Sequence, residues 1–404
     1  MVKWAEVIYR LVIPIITRKG GYSVLPPTDT KAAQVTDPTV LFIAGDPSGD
    51  QHAAQVVAAL KRTMPNVRCT GIGGPAMVAA GFEPLMPFEP FNRMGYLEVL
   101  LHLPFFLNAS RFIKSHIRST RPACVVCVDY SGFNIPVMKY AHSCGIPVLW
   151  YIAPMVWAWK KKRAKVLARY ASEICCIFPF EVACFQPYSR NVHFVGNPVV
   201  EAMRVTPPVR KNDVSAQPVV ALVPGSRHQE VAKNLSAMVG AFRMLKRRVP
   251  GIRAVVSHYH GLPAELYHEA MKEEGLEAFS GTLAELYRKA DVGIVTSGTA
   301  TLEAALAGLP HVIVYKTSPV TYAVFRHFVT ISYIGLPNII AQERIVPECI
   351  QDEVHESVLC DKIELFLKDS DLYRSTTDRL LKVREVLGSI RPSVAVAELV
   401  GKYL

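Results

Sequence analysis

Short apolar segments alternate with helical segments along most of this chain, and this alternation constrains the fold more than any other feature. The first apolar segments have the length and β-branched composition of buried strands: Val40–Ala44, Ala123–Val128, Val148–Ile152, Ile174–Phe178 and Val192–Val195. Segments of helical character lie among them: Gln51–Arg62, Phe133–Ser143, Lys160–Tyr170 and Phe180–Tyr188. Such alternation predicts an α/β protein with a parallel, doubly wound sheet.

A second sheet is predicted further along the chain. Another alternating block runs from Pro218 to about Tyr315, after a segment, residues 201–217, with the proline and polar content of a linker. At 404 residues the chain suits two domains of ordinary size. We therefore predict two Rossmann-like domains, residues 38–200 and 218–354, facing a cleft at the carboxyl ends of their strands, where ligands bind. Residues 355–404 are predicted to be helices that pack back on the N-terminal domain.

The first 37 residues form an extension of a different kind. Apolar residues follow helical spacing there: Trp4, Val7, Ile8, Leu11, Val12 and Ile15. Arg10 and Pro14 interrupt the run, which makes it too short to span a bilayer, and no small-residue cleavage site follows it. Two interpretations are equally open: an amphipathic helix at a membrane surface, or a helix packed on its own domain or on a partner. Residues 20–38 are predicted to be a linker.

Charge and cysteine content narrow the choice of partner and compartment. The net charge of +11 favours an anionic partner. Nucleic acid is the weakest choice, because the sequence has no zinc finger, helix-turn-helix pattern or basic stripe interleaved with aromatic residues. The nine cysteines lie mostly in apolar segments, and Cys124 and Cys127 point to opposite faces of a strand. The sequence therefore predicts buried, reduced thiols of a cytosolic protein rather than a metal site.

Two strand–loop–helix turns in the second half carry the strongest functional signal. The first follows Val219–Val223 and contains Pro224, Gly225, Ser226 and Arg227. The second follows Val292–Val295 and contains Ser297, Gly298, Thr299 and, one turn into the helix, Glu303. The unpaired N–H groups and the dipole of a helix start suit a phosphate. The two turns predict a nucleoside diphosphate whose ribose is held by Glu303, and the lack of Walker A and G-x-G-x-x-G sequences disfavours ATP and NAD.

Two loops of the first half follow predicted strands at the same edge of the sheet, one with Gly45, Ser48 and Asp50 and one with Gly73. Further along, an apolar segment that begins at Met94 carries a single acid, Glu98. Small residues after a strand allow a ligand to approach the backbone, and Asp50 can either cap a helix or bind a sugar hydroxyl. A plain tight turn is the alternative for residues 45–50, and Glu98 carries little weight alone.

Asp129 directly follows a predicted buried strand. A carboxylate at the carboxyl end of a parallel strand faces the ligand cleft, and partial burial would raise its pKa toward that of a general base. An aspartate that caps a helix or stabilises a loop is the equal alternative.

Trp157 and Trp159 precede a run of four basic residues, 160–163. Aromatic faces pack on sugar rings and cations bind phosphate, so we interpret this segment as part of a binding site. Core tryptophans before a solvated helix start are the alternative.

His258 and His260 share one face of a strand without a third ligand. We therefore assign no metal site, and we predict no cofactor.

Ten spaced motifs, taken together, resemble the lipid-A-disaccharide synthase family, inverting glycosyltransferases with the two-domain GT-B fold. They run in the family's order from about residue 40 to residue 352: AGDPSGD (44–50), GIGGPAM (71–77), MGYLEVL (94–100), VDYSGFN (128–134), YIAPMVWAWKKKR (151–163), PFE (179–181), FVGNP (194–198), LVPGSR (222–227), TSGTATLEAAL (296–306) and LPNIIAQERIVPE (336–348). Agreement at ten motifs is far more specific than agreement at one loop.

The resemblance implies a reaction and roles for the candidate residues. UDP-2,3-diacylglucosamine donates its sugar to 2,3-diacylglucosamine 1-phosphate, which gives the β-1′,6-linked lipid A disaccharide 1-phosphate and UDP. Asp129 matches the proposed general base, and Arg227 matches the residue that faces the diphosphate. Phosphate and ribose contacts are implied for Ser297, Gly298, Thr299 and Glu303, with Asn338 close by. The motifs of the first half would line the acceptor side.

The acylated substrates imply a peripheral enzyme at the inner face of the inner membrane. An anionic membrane surface suits the basic charge balance, the apolar and basic stretch of residues 101–121, and the first helix. The resemblance also implies a homodimer with exchanged carboxyl-terminal segments, and a reaction without metal.

Some positions depart from the commonest family pattern: Asp46 replaces Glu, Gly132 replaces a second Asp, Ala153 replaces Ser, Lys160 replaces Arg and Asn197 replaces His. Gly132 matters most, because it leaves Asp129 as the only acid of its loop. Two alternatives stay open. One is another GT-B enzyme that uses UDP-N-acetylglucosamine, a transferase or a 2-epimerase; the other is an inactive relative that binds nucleotide sugars or lipids.

Overall fold

The computed structural model describes residues 37–91, 103–159, 161–205, 213–259, 261–319, 322 and 332–404. Residues 38–404 form one compact unit. The helix predicted near the N-terminus lies outside the described residues, as do Met94, Glu98 and part of the predicted linker. None of the described helices combines the length and the apolar character needed to cross a bilayer.

The N-terminal half is built on a seven-stranded parallel sheet. Its strands are β1 Thr39–Ala44, β2 Arg68–Ile72, β3 Glu83–Pro84, β4 Cys124–Val128, β5 Val148–Tyr151, β6 Glu173–Cys176 and β7 Val192–Phe194, in the order β3-β2-β1-β4-β5-β6-β7. Its helices are α1 Pro47–Thr63, α2 Pro75–Ala79, α3 Leu103–Thr120, α4 Ser131–Ser143, α5 Lys162–Tyr170, α6 Glu181–Phe185 and α7 Pro198–Ala202. All of β4 is buried, since helices cover both faces of a parallel sheet.

The C-terminal half is built on a six-stranded parallel sheet. Its strands are β8 Val219–Val223, β9 Arg253–Ser257, β10 Leu276–Phe279, β11 Val292–Thr296, β12 His311–Tyr315 and β13 Glu348–Ile350, in the order β10-β9-β8-β11-β12-β13. Its helices are α8 His228–Arg248, α9 Leu283–Lys289, α10 Thr299–Leu306 and α11 Leu336–Ala341, followed by α12 Glu356–Lys368, α13 Ser370–Leu387 and α14 Pro392–Gly401. Short 3-10 helices cover Met203–Val205, Ala264–Tyr267, Ala270–Lys272 and Gln351–Glu353.

Both sheets change direction beside their first strand, which confirms the prediction of two doubly wound, Rossmann-like sheets. Strand β1 lies between β2 and β4, and β8 lies between β9 and β11. At such a switch point the loops after the two central strands lead to opposite faces and open a crevice for ligands. The loops after β1, β4, β8 and β11 contain most of the candidate residues.

A shared hydrophobic core joins the two halves. Phe178 and Val200 pack in one cluster with Leu302 and Leu306 of α10. The helix that begins with Thr299 therefore rests on the N-terminal half through its apolar face.

The last helix, α14, packs against α1, and its Val396 and Val400 share a core cluster with β1. The Glu201 carboxylate fixes its start. That carboxylate accepts hydrogen bonds from the Ser393 backbone N–H at 3.0 Å and from the Arg391 side chain at 3.1 Å. The carboxyl-terminal chain therefore returns to the N-terminal half.

Helix α1 begins at Pro47, earlier than the predicted Gln51. The Asp46 side chain caps it by accepting the Gly49 backbone N–H at 2.6 Å. Proline suits the first helical position, because the N–H that it lacks would have no partner there. Ser48 therefore lies in the first turn of a helix rather than in a loop.

All nine cysteines are free, which confirms the prediction of unpaired thiols. Seven are buried, and Cys144 and Cys184 are partly exposed. Burial raises the pKa of Cys124 to about 12, which keeps this thiol protonated and unreactive at neutral pH.

Candidate active site

The loop after β4 holds Asp129 in an unusual backbone conformation. Asp129 and Tyr130 have φ angles of 40° and 44°, which residues other than glycine rarely adopt. The side-chain amide of Asn134 donates hydrogen bonds to the backbone carbonyls of Ile43, Val128 and Asp129. Because these carbonyls lie at the ends of β1 and β4, one asparagine fixes the switch point and the Asp129 loop together. Backbone strain held in this way is common at functional sites.

The electrostatics of Asp129 suit proton transfer. Burial raises the pKa of Asp129 to about 6, and the nearby Asp46 carboxylate adds to this rise. A hydrogen bond from the Tyr130 backbone N–H and the charge of Arg163 lower the Asp129 pKa in part. A carboxylate with a pKa near 6 is largely ionised at neutral pH and is a stronger base than an ordinary aspartate.

Gly45 and Gly73 are explained by their protein neighbours. A Cβ on Gly45 would lie 2.4 Å from Cδ1 of the Tyr130 ring, and a Cβ on Gly73 would lie 2.4 Å from the Met77 sulfur. The Tyr130 hydroxyl donates a hydrogen bond to the Phe91 carbonyl at 3.0 Å, which holds the ring in place. Both glycines are buried. Both glycines make room for side chains of this chain, so the contacts within the protein are enough to explain their small size.

Asp50 acts as a helix cap, which is one of the two roles that its sequence position allows. Its carboxylate accepts the backbone N–H groups of Gly74, Ala76 and Met77 at 2.8, 3.0 and 3.0 Å. The side chain is buried, so it caps α2 and its oxygens are not available to a sugar. Ser48 is exposed, with its Oγ 3.2 Å from His52 Nε2, and it remains a candidate for acceptor contact.

Trp157 lies in the loop after β5, next to the Asp129 loop, because Val128 pairs with Tyr151 at the ends of these strands. Its indole Nε1–H donates a hydrogen bond to Glu181 Oε1 at 3.1 Å. Sequence reasoning assigned no role to Glu181, although the motif PFE contains it. Its contacts reach back along the chain and are not visible in the sequence.

In the loop after β8, the Glu230 side chain accepts hydrogen bonds from backbone N–H groups that are predicted to bind phosphate. Glu230 Oε2 accepts the N–H groups of Ser226 and Arg227 at 3.1 and 3.3 Å, and Glu230 Oε1 accepts Arg227 Nη1 at 3.0 Å. Gly225 has a φ of +123°, and a Cβ there would lie 2.5 Å from Glu230 Oε2. The Arg227 side chain is 62% exposed. A bound anion would therefore replace the Glu230 carboxylate in this loop.

The loop after β11 leaves space at the start of α10. Gly298 has a φ of +151°, and no atom of the described residues lies within 4 Å of where its Cβ would stand. The Ser297 hydroxyl donates to the Ile334 carbonyl at 3.0 Å. Burial raises the pKa of Glu303 to about 7, and within the described residues this carboxyl has no hydrogen bond or ion pair. The half-buried Glu303 can accept a hydrogen bond from a ligand hydroxyl.

Asn338 is fully buried, and both ends of its amide are occupied. The amide N–H groups donate to the Val346 carbonyl and to Glu348 Oε1, both at 2.9 Å. The amide oxygen accepts the N–H groups of Ile345 and Val346. These bonds hold the chain before β13 in place, so a contribution of the Asn338 side chain to the UDP side would be indirect.

Asn234, like Asn134, has a structural role that sequence reasoning missed. Its side-chain amide donates to the Pro224 carbonyl at 3.4 Å and to the Thr296 hydroxyl at 3.1 Å. It thereby joins the loops after β8 and β11, as Asn134 joins β1 and β4. Among the described residues, no three His, Cys, Asp or Glu side chains are grouped as metal ligands.

Comparisons with known proteins agree with this arrangement. The family described as Lipid-A-disaccharide synthetase matches residues 40–396. The lipid-A-disaccharide synthase of Geobacter metallireducens is 35% identical over 374 residues, which cover 90% of this chain and 97% of the relative. CalG4, the calicheamicin glycosyltransferase, has a TM-score of 0.59 at 16% identity and is covered over 98% of its length by 91% of this chain.

A further solved structure shares the fold. UDP-GlcNAc 2-epimerase from Neisseria meningitidis, bound to UDP-GlcNAc, has a TM-score of 0.57 at 12% identity, with 90% of this chain and 99% of that chain covered. At these identities the solved structures show the fold alone. The family match over most of the chain, together with a relative above 30% identity along nearly its full length, shows that this chain belongs to the lipid-A-disaccharide synthase family.

Proposed function

We propose that this glycosyltransferase transfers 2,3-diacylglucosamine from UDP to 2,3-diacylglucosamine 1-phosphate, with Asp129 as the general base. The observation that carries this proposal is the position of Asp129: strained, half-buried and at the switch point of the N-terminal sheet, with its pKa raised to about 6. Incubation of the protein with both acylated sugars, followed by mass spectrometry, tests it. Disaccharide 1-phosphate is the expected product. UDP release without lipid acceptor would favour a hydrolase or an epimerase instead.

In the proposed mechanism the acceptor 6-hydroxyl attacks the anomeric carbon from the face opposite UDP. Asp129 takes the proton of that hydroxyl as the new glycosidic bond forms. The bond to UDP breaks, and negative charge grows on the diphosphate. Arg227 and the start of α10 stabilise this charge, the first with a guanidinium and the second with backbone N–H groups.

On the donor side, we propose that Glu303 binds the ribose and that Ser297, Gly298 and Thr299 approach the phosphates. Among the described residues, none comes within 4 Å of a Cβ built on Gly298 and none bonds the Glu303 carboxyl, which supports this arrangement. Diphosphate binding would release Glu230 from the loop of residues 224–227 and free its N–H groups for phosphate oxygens.

We propose that the reaction needs no divalent metal, because a guanidinium and a helix start suffice to stabilise the leaving diphosphate. The expected result is that turnover in excess EDTA equals turnover without it. The measurement is initial rate of disaccharide formation after exhaustive chelation. Full loss of activity in EDTA, restored by Mg²⁺, would contradict the proposal.

We further propose that helices α3, α4 and α5 face an anionic membrane surface, the inner face of the inner membrane. These helices carry several Lys and Arg residues and no Asp or Glu. At the start of α3, the side chains of Leu103 and Leu107 are 41% and 43% exposed, although both are apolar. A basic face with exposed apolar groups at one end suits binding to anionic lipid.

Replacing Arg111 and Arg118 of α3 with glutamate is expected to weaken sedimentation with anionic liposomes at least tenfold. Each basic residue near an anionic surface contributes about 1 kcal/mol, and the substitution adds repulsion. Cosedimentation at low and high salt measures the effect. The control is the double change Arg247→Glu with Arg288→Glu, two exposed residues of the other half, which alters the net charge by the same amount. Equal loss in both variants would attribute binding to net charge rather than to this face.

The family resemblance also leads us to propose a homodimer that exchanges carboxyl-terminal segments. The packing of α14 against α1 supports this proposal, because an exchanged helix from a second copy would have this groove to occupy.

A further inference from the structure

Glu181 is a buried acid that the proposed mechanism does not use. It lies just after β6, at the carboxyl edge of the N-terminal sheet, and is only 1% exposed. Its Oε2 accepts the backbone N–H groups of Ile177 and Phe178, both at 3.2 Å, and its Oε1 accepts the indole N–H of Trp157 at 3.1 Å. One carboxylate therefore joins three donors from two loops.

Burial of this carboxyl is costly for the fold. Its three hydrogen-bond donors are neutral, and desolvation raises the pKa of Glu181 to about 7, to which the charge of Asp129 also contributes. A glutamine or an apolar residue would avoid the cost of burying charge. An acid at this position is thus better explained by the bonds that only a carboxylate can accept from all three donors.

Two residues that donate hydrogen bonds to Glu181, Trp157 and Phe178, form a small aromatic cluster with Phe180. Trp157 packs edge-on against Phe180 with ring centroids 5.4 Å apart, and Phe178 stacks on Phe180 at 5.6 Å. Phe178 belongs to the core cluster that contains Leu302 of α10. The aromatic cluster thereby extends from the Trp157 loop, beside Asp129, to α10, the helix whose first residues are proposed to bind the donor.

We propose that Glu181 is a positioning residue of the transfer reaction. It fixes the Trp157 indole on the acceptor side of the site and links the Trp157 loop to residues 177 and 178, which pack next to α10. The proposal rests on the proposed function, since it takes Asp129 as the base and Trp157 as an acceptor-side residue. Glu181 acts through Trp157 and does not itself touch the reacting atoms.

Glu181→Gln tests the proposal because glutamine cannot accept from all three donors. If its oxygen keeps the two backbone N–H groups, its NH2 group faces the indole N–H and that bond is lost. Trp157→Phe removes the same bond from the other side and keeps an aromatic ring. We expect each variant to raise KM for the acceptor about tenfold, with KM for the UDP-sugar unchanged, as suits the loss of one hydrogen bond to a charged group.

The double variant separates positioning from general damage. If both substitutions break one bond, Glu181→Gln with Trp157→Phe should raise acceptor KM no more than either change alone. Multiplied effects, or an unchanged acceptor KM in Trp157→Phe, would overturn the proposal. Should Glu181→Gln fail to fold, Trp157→Phe alone decides: a raised acceptor KM supports the proposal and an unchanged one overturns it.

Glu173 provides a matched control on β6, the strand that precedes Glu181. It is also buried and begins β6, at the amino end of the sheet, where it bonds His193 and Tyr403. Glu173→Gln is expected to lower Tm without changing acceptor KM. Wild-type protein that forms no disaccharide would defeat the proposed function itself, and the inference with it, whereas active wild type with an unaltered Glu181→Gln variant defeats the inference alone.

Discussion

Asp129→Asn is expected to lower kcat by about two to four orders of magnitude, the range that a positioned general base contributes. Asparagine keeps the size and the loop contacts of the side chain but cannot take the acceptor proton. The measurement is the rate of disaccharide formation at saturating concentrations of both substrates. Because the wild-type carboxyl has a pKa of about 6, wild-type kcat/KM should fall as the pH drops below about 6, where Asp129 becomes protonated.

The same substitution is expected to stabilise the fold at neutral pH. Burial raises the pKa of Asp129 in the folded state above its ordinary value of 3.8, so the folded protein favours the protonated form. The stability that this acid contributes is present at low pH and is lost as the pH rises through about 6. Asparagine has no charge to bury, so Asp129→Asn should raise the free energy of unfolding by about 1–2 kcal/mol at pH 8 and by little at pH 4.

These two effects together separate a base from a structural aspartate. Loss of activity with equal or greater stability at pH 8 is the outcome for a base. Loss of activity with lowered stability at every pH would instead identify Asp129 as a residue that holds its loop. Near-normal kcat would remove it from the mechanism.

Gly132→Asp adds the second acid that many family members have. No atom of the described residues lies within 4 Å of where a Cβ at this position would stand, so this variant should fold and keep its activity.

The main elements of the fold could be predicted from the sequence because parallel strands leave a strong local signal. Strands such as β4 and β8 are covered on both faces, so every residue is apolar or small and the run is continuous. Strand–helix alternation then predicts parallel, doubly wound sheets, whereas the order of the strands within each sheet comes from the structure. The start of α1 was missed because Gly, Pro, Ser and Asp in residues 45–50 suggest a loop, whereas Pro47 begins the helix.

The roles of several site residues could not be predicted, because their partners are distant in the sequence. Asp50 caps the helix that begins at residue 75, and Asn338 bonds to residues 345–348. Gly45 is required by the ring of Tyr130, which approaches only after β1 and β4 have paired. A glycine beside a ligand and a glycine beneath a tyrosine look alike in one sequence. Asn134 and Asn234 were missed for the same reason, since they bond to the ends of other strands.

Arg227→Ala is expected to lower turnover by about two to three orders of magnitude, because one well-placed charge stabiliser contributes ~3 kcal/mol in the transition state. The Arg227 side chain is largely exposed, and its hydrogen bond to Glu230 lies on the surface, so its removal should change the free energy of unfolding by less than about 1 kcal/mol. The loss should appear mainly in kcat, since the charge on the diphosphate grows as the bond to the sugar breaks. Steady-state kinetics at saturating UDP-sugar measure it.

Glu230 contacts the same loop as Arg227, so a substitution of Glu230 is the most informative control for Arg227→Ala. Glu230 accepts the Ser226 and Arg227 N–H groups, so it would compete with a diphosphate for them. Glu230→Gln weakens that competition and should not reduce turnover, whereas Arg227→Ala should. Arg247→Ala, at the exposed far end of the same helix, should leave both kcat and KM unchanged. If Arg227→Ala instead raises KM for the UDP-sugar and leaves kcat intact, Arg227 binds the substrate and the transition state equally, and charge stabilisation belongs to the start of α10 alone.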